Sequence, residues 1–130
     1  MVAGQPEEAG VAIDEAISLV ELNEQLVFLP EFLRLKGEIE FRLRADGRRA
    51  EALFLRSLQL AGRQSALAWE LRAATSVARL RSSQGRTAEA RSILAAVYHR
   101  FTEGFETSDL KAAKCLLNRL DGDRSSQVGR

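Results

Sequence analysis

Gly85-Arg86-Thr87-Ala88-Glu89-Ala90 has the pattern G-x-x-x-E-A, and two earlier stretches share it: Gly47-Arg48-Arg49-Ala50-Glu51-Ala52 and Gly4-Gln5-Pro6-Glu7-Glu8-Ala9. Each stretch precedes apolar residues at helical spacing, so each reads as a turn that opens a helix. The copies lie 43 and 38 residues apart. Such a length holds two helices and two turns, the period of a helical-hairpin repeat. In the middle copy the apolar stripe runs better from Ala50 than from Ala52, which predicts a tighter turn there.

Working outward, the stretch between the second and third turns is the most informative. A helix over about 65–83 carries Leu67, Leu71, Ala74 and Ala78 on one face. Trp69, Ala73, Val77 and Leu80 line nearly the opposite face, with Arg72, Thr75 and Arg79 in a narrow polar strip between them. A helix apolar on two sides is packed between neighbours. Gln84-Gly85 ends it.

Five further helices follow from the same periodicity: about 7–27, 31–44, 49–62, 87–102 and 107–120. Their expected buried stripes are Ala9, Ala12, Ile13, Ala16 and Val20; Phe32, Leu35, Ile39 and Leu43; Ala50, Leu53, Phe54, Leu58 and Ala61; Ala90, Ile93, Leu94, Val97 and Phe101; and Leu110, Ala113, Leu117 and Leu120. Pro6 and Pro30, the two prolines, sit where helices begin. Asp46-Gly47 is expected to turn the chain through a left-handed residue, and Thr87 and Thr107 are N-cap candidates. Gly37, in mid-helix, costs about 1 kcal/mol against Ala by propensity, so a close approach of the partner helix is the expected reason for it. β-branched residues never alternate in a run, which argues against a sheet.

Six antiparallel helices in a single domain over 1–120 result, followed by a polar tail, 121–130, expected to be flexible. The first helix is the second half of a hairpin whose first half is missing. A repeat buries its face on its neighbour, so this helix is expected to leave an apolar side uncovered, either because the chain is a fragment or because two copies pair through it.

Composition sets the remaining bounds. The 130 residues suit one domain. Formal net charge is +1, too small for a global field that would gather nucleic acid or anionic membrane. No stretch approaches the roughly 18 apolar residues of a membrane span. Met1 to Gly10 is small and acidic, unlike a leader peptide. One cysteine, Cys115, leaves no internal disulfide and no cysteine-based metal cluster, and a reducing cytoplasm is the natural expectation.

The helical hairpins resemble tetratricopeptide repeats, with helices longer than the usual unit. A narrower likeness rests on Trp69-Glu70-Leu71-Arg72-Ala73-Ala74-Thr75-Ser76, Gln84-Gly85-Arg86, Ala88-Glu89-Ala90-Arg91, Tyr98, Phe101-Thr102-Glu103-Gly104-Phe105, Thr107, Asp109-Leu110-Lys111 and Ala113-Lys114. Over about 30–120 the chain resembles the C-terminal region of bacterial proteins that join a class III adenylate/guanylate cyclase domain, or a transcriptional activator domain, to a signal-transducing ATPase. The resemblance implies a right-handed solenoid that serves as a protein–protein interaction scaffold. It implies that Trp69, Tyr98, Phe101 and Phe105 are structural, with Phe105 plugging the joint between the last two helices. The catalytic and ATPase domains of those proteins have no counterpart here: there is no G-x-x-x-x-G-K-[ST] loop and no aspartate pair for metal-assisted cyclisation.

No constellation in the sequence supports catalysis, a cofactor or a metal. His99 has no nucleophile or cluster nearby and reads as a helix-end residue. Cys115 faces away from the stripe of its helix and lacks a base that would activate it. Glu7 and Glu8 suit the positive end of a helix, and Asp121 and Asp123 lie in the tail. Arg42, Arg44, Arg48 and Arg49 cluster at one turn, but interleaved acids make a solvated, ion-paired surface the better reading than a nucleic-acid patch. The candidate partner-binding residues are Arg72, Thr75 and Arg79, joined by Arg34 and Glu38 on helix two. Gly37, Gly47 and Gly85 are assigned structural roles. The expected function is docking of a protein or peptide, with two alternatives: an effector-sensing arm that controls oligomerisation, or an orphan fragment of a larger regulator.

Overall fold

The structure, a computed structural model, describes the backbone of residues 6–22 and 28–128 and the side chains of 10–18 and 28–122. Its elements are α1 (Pro6–Leu22), α2 (Leu29–Arg42), α3 (Gly47–Arg63), α4 (Leu67–Ser83), α5 (Thr87–Tyr98) and α6 (Ser108–Val128). No strand occurs among the described residues, so the protein is all-α.

Each helix packs on the next, and α4 additionally touches both α2 and α6; the odd-numbered helices do not touch one another among the described residues. Ion pairs fix directions. Glu40, near the end of α2, meets Arg49 at the start of α3 (3.3 Å). Glu51, early in α3, meets Arg81 late in α4 (2.9 Å). Glu70, early in α4, meets Arg100 just past α5 (2.8 Å). Successive helices therefore run antiparallel from α2 to α5. Arg72 joins Glu31 and Asp109, all three in the N-terminal half of α2, α4 or α6. The even helices thus run parallel, with their N-terminal parts side by side.

α4 is buried on both flanks, as its two apolar faces require: Glu70, Leu71, Ala73 to Ala78 and Leu80 are all buried. Leu71, Ala74 and Ala78 pack with α5 and α6; Val77 and Leu80 pack with Ala50 and Phe54 of α3. Gly37 has the expected cause. A Cβ there would lie 2.6 Å from Cε1 of Phe54, whose ring is wholly buried.

Several turns differ from expectation. At the α2–α3 turn the left-handed residue is Ala45 (φ 54°), not Gly47, which is the first residue of α3. Asp46 caps α3 by accepting the Arg49 N–H (3.0 Å). Ser65 (φ 56°) closes α3 in the same way, with Ala66 N–H donating to the Ala61 carbonyl (2.9 Å). Gly85 (φ 77°) closes α4 as read, with Arg86 N–H on the Arg81 carbonyl (2.8 Å). Thr87 is not an N-cap: Arg86 holds that position without a side-chain cap. Thr107 does cap α6, its hydroxyl accepting the Leu110 N–H at 3.4 Å. In register Ala45, Asp46, Ala50 and Phe54 correspond to Gly85, Arg86, Ala90 and Leu94, a period of 40 residues. The shared G-x-x-x-E-A pattern is two residues out of this register because α3 starts at its glycine and α5 starts two residues after. The α2–α3 turn is not tighter than the other.

The buried line of α2 also differs. It is Leu29, Leu33, Gly37 and Glu40, while Leu35 and Leu43 are exposed. The close packing of α3 at Gly37 rotates α2 so that a line weak in hydrophobicity faces inward. α5 ends at Tyr98, and Phe101 packs against the core from the following loop. Phe105 stays 44% exposed, its ring 5.9 Å from that of Tyr98, so it caps the α5–α6 joint and does not plug it. α6 continues past Leu120, its expected end, to Val128. Asp121 is paired with Arg91 of α5, which holds the first turn of that extension. In α1, Ile17 packs on Leu29 and Leu33, and Lys36 pairs with Asp14, whereas Val11 is 55% exposed. Ala9 and Val20 of the expected stripe lie outside the described side chains.

Candidate partner-binding face

The site is built on the parallel α2, α4 and α6. Glu31 lies in the first turn of α2 and accepts two hydrogen bonds from Arg34 (2.7 and 3.1 Å). It also accepts one from Arg72 of α4 (3.0 Å). Arg72 turns its Nε to Asp109 in the first turn of α6 (2.9 Å). A row of alternating charges, Arg34–Glu31–Arg72–Asp109, therefore crosses all three helices. Partial burial pushes the Glu31 carboxyl up, but the hydrogen bonds and charges of Arg34 and Arg72 outweigh it and hold it below its ordinary value. The Asp109 hydrogen bond, with that of Glu31, raises Arg72 further above its already high value.

Beside this row is a cavity of about 100 Å³, open on one side, lined by Arg34, Arg72, Thr75, Ser76, Arg79, Asp109 and Ala112. The residues 72, 75, 76 and 79 share one face because they are three, four and seven apart on a helix. Ala112 on α6 is small and leaves room opposite them. Thr75 is buried, and its hydroxyl donates to the Leu71 carbonyl of its own helix (2.8 Å), so its proton is committed. Ser76 is 1% exposed, and its Oγ has no hydrogen-bond partner. An unsatisfied buried hydroxyl costs about 1–3 kcal/mol. Arg79 is exposed and has no ion-pair partner among the described residues.

Four of the five candidate residues thus meet at one cavity. The exception is Glu38, whose carboxylate is engaged by Arg42 (3.0 Å) and does not line it. Glu31, Ser76, Asp109 and Ala112 were missed. Ser76 was within reach of the sequence, since it completes the helical face of Arg72 and Arg79. Glu31 and Asp109 were not, because their roles depend on which helices become neighbours.

The other chemically capable residues are dispersed. His99 is exposed, with its ring edge-on to Tyr98 at 5.6 Å. Cys115 is an exposed free thiol. No group of three or more His, Cys, Asp or Glu side chains able to hold a metal ion occurs among the described residues. In the basic cluster Arg42 pairs with Glu38, and Arg44 and Arg49 with the buried Glu40 (3.7 and 3.3 Å). On the far side of the stack Glu51 receives Arg86 and Arg81, whose hydrogen bonds overcome partial burial and lower its pKa. No helix among the described residues is long and apolar enough to cross a membrane. No protein-family model, curated protein or solved structure matches the chain.

Proposed function

We propose that this protein is a non-catalytic docking module: a tetratricopeptide-like, right-handed stack of helical hairpins that binds an extended segment of a protein partner on the face formed by α2, α4 and α6. The observation that carries it is the arginine-lined cavity where those three helices meet. At about 100 Å³ the cavity is well below the roughly 300–1,000 Å³ of small-molecule pockets, and no aromatic ring lines it. That favours surface docking over an effector-sensing pocket. The parallel even helices and the 40-residue register from Ala45 to Gly85 support the hairpin-repeat architecture. By resemblance to the repeat region of cyclase–ATPase regulators, the docking would serve signal transduction in the bacterial cytoplasm. A second copy of the chain would pair through α1, where Val11 is exposed.

The test is capture of partners by the purified chain, alongside Ala112→Trp, which fills the cavity without changing charge. Loss of at least about tenfold in partner affinity is expected. Undiminished binding by the correctly folded variant would remove this face as the docking site.

A further inference from the structure

The cavity between α2, α4 and α6 holds one cation and one hydroxyl that the fold itself does not use. Arg34 is spent on Glu31, and Arg72 on Glu31 and Asp109. Arg79, two turns beyond Arg72 on the same face of α4, is exposed and has no ion-pair partner among the described residues. Ser76 stands between them in helical register and is among the residues lining the same cavity, and its buried Oγ is unpartnered. Together a guanidinium and a hydroxyl present N–H and O–H donors to an oxygen anion.

Charge then selects among oxygen anions, since the cavity of about 100 Å³ has room for any small one. Three guanidiniums stand against two carboxylates, Glu31 and Asp109, which leaves a surplus of one positive charge. One carboxylate neutralises that surplus. A phosphate monoester, at about −1.5 to −2 near neutral pH, would place excess negative charge beside Asp109 and Glu31. We infer that the cavity takes the carboxylate of a single Asp or Glu side chain on the docked segment, with Arg79 as its charge partner and the Ser76 hydroxyl as its second donor. This rests on the docking face proposed above and names the chemistry it selects.

The experiment titrates the isotope-labelled full chain, at constant ionic strength, with a capped Ala-Ala-Glu-Ala-Ala peptide, its Gln counterpart and inorganic phosphate. The Arg79 Nε–Hε and Ser76 amide resonances report binding by nuclear magnetic resonance. The Glu peptide is expected to shift both saturably, and the Gln peptide and phosphate to bind at least about tenfold more weakly. Arg79→Gln should weaken the Glu peptide by about tenfold and Ser76→Ala by about fivefold. Arg48→Gln, which removes an exposed charge at the start of α3, should leave it unchanged. Unmoved Arg79 and Ser76 signals, or tighter binding of phosphate, would overturn the assignment. If that happens while Ala112→Trp still abolishes partner capture, the docking face stands and only its carboxylate selectivity falls.

Discussion

Gly37→Ala is expected to destabilise this protein, although helix propensity alone says the opposite. The new methyl carbon would stand 2.6 and 2.7 Å from Cε1 and Cδ1 of Phe54. Carbon atoms rest at about 3.5–4.0 Å, so the ring must retreat by about 1 Å. It has little room to do so: Phe54 is wholly buried among Ala50, Val77, Leu80, Phe41 and Ile93. Forcing a methyl into such packing costs about 1–3 kcal/mol, while replacing mid-helix Gly by Ala returns about 1 kcal/mol. The expected net loss is up to about 2 kcal/mol. Urea unfolding followed by far-ultraviolet circular dichroism measures it as a lowered midpoint at unchanged slope. Phe54→Leu supplies the missing room, so the double variant should be more stable than the two single losses add up to, by about 1 kcal/mol. A midpoint for Gly37→Ala above that of the parent would refute the close approach of α2 and α3.

Ala45→Gly and Ser65→Gly should each hold or raise stability by up to about 1 kcal/mol, since a left-handed conformation strains a side chain by about that much; thermal unfolding checks it. Glu51 titrates below its ordinary value of 4.5 in the folded protein. Its carboxylate therefore stabilises the fold above about pH 5, and that contribution disappears as pH falls through its lowered folded value. Glu51→Gln should be less stable near neutrality by about 1 kcal/mol, with a shallower loss on acidification from about pH 5 to 3. Equal acid sensitivity in both proteins would contradict the pairing with Arg81 and Arg86. Self-association through α1 should be visible by light scattering at high concentration and be lost in Val11→Asp; a monomeric parent would end that proposal.

The chain order of helices was legible because punctuation and periodicity are local. Gln84-Gly85, Thr107 and the two-sided α4 were read correctly for that reason. The inner line of α2 was not, since Gly37 and Glu40 carry no apolar signal and are buried only because α3 comes close and Arg44 and Arg49 neutralise the acid. Ala45 and Ser65 escaped because left-handed turns advertise themselves through glycine. Ser57, buried with its hydroxyl on the Pro30 carbonyl (2.6 Å), was likewise hidden, since its acceptor lies on another helix. At the site, the face holding Arg72, Thr75 and Arg79 followed from helical geometry, whereas the row that crosses α2, α4 and α6 is a product of tertiary assembly.

The contacts of α4 with four other helices have a consequence for how the molecule opens. Breathing motions at either end can release one outer helix while the rest holds, whereas an opening that frees α4 must break its packing against four helices at once. Amide protons on α4 should therefore be the last to exchange with heavy water, and those on α1, which touches only α2 among the described helices, among the first. A segment laid across α2, α4 and α6 would clasp the slowest-opening part of the molecule, so its grip need not wait on the fraying of the ends.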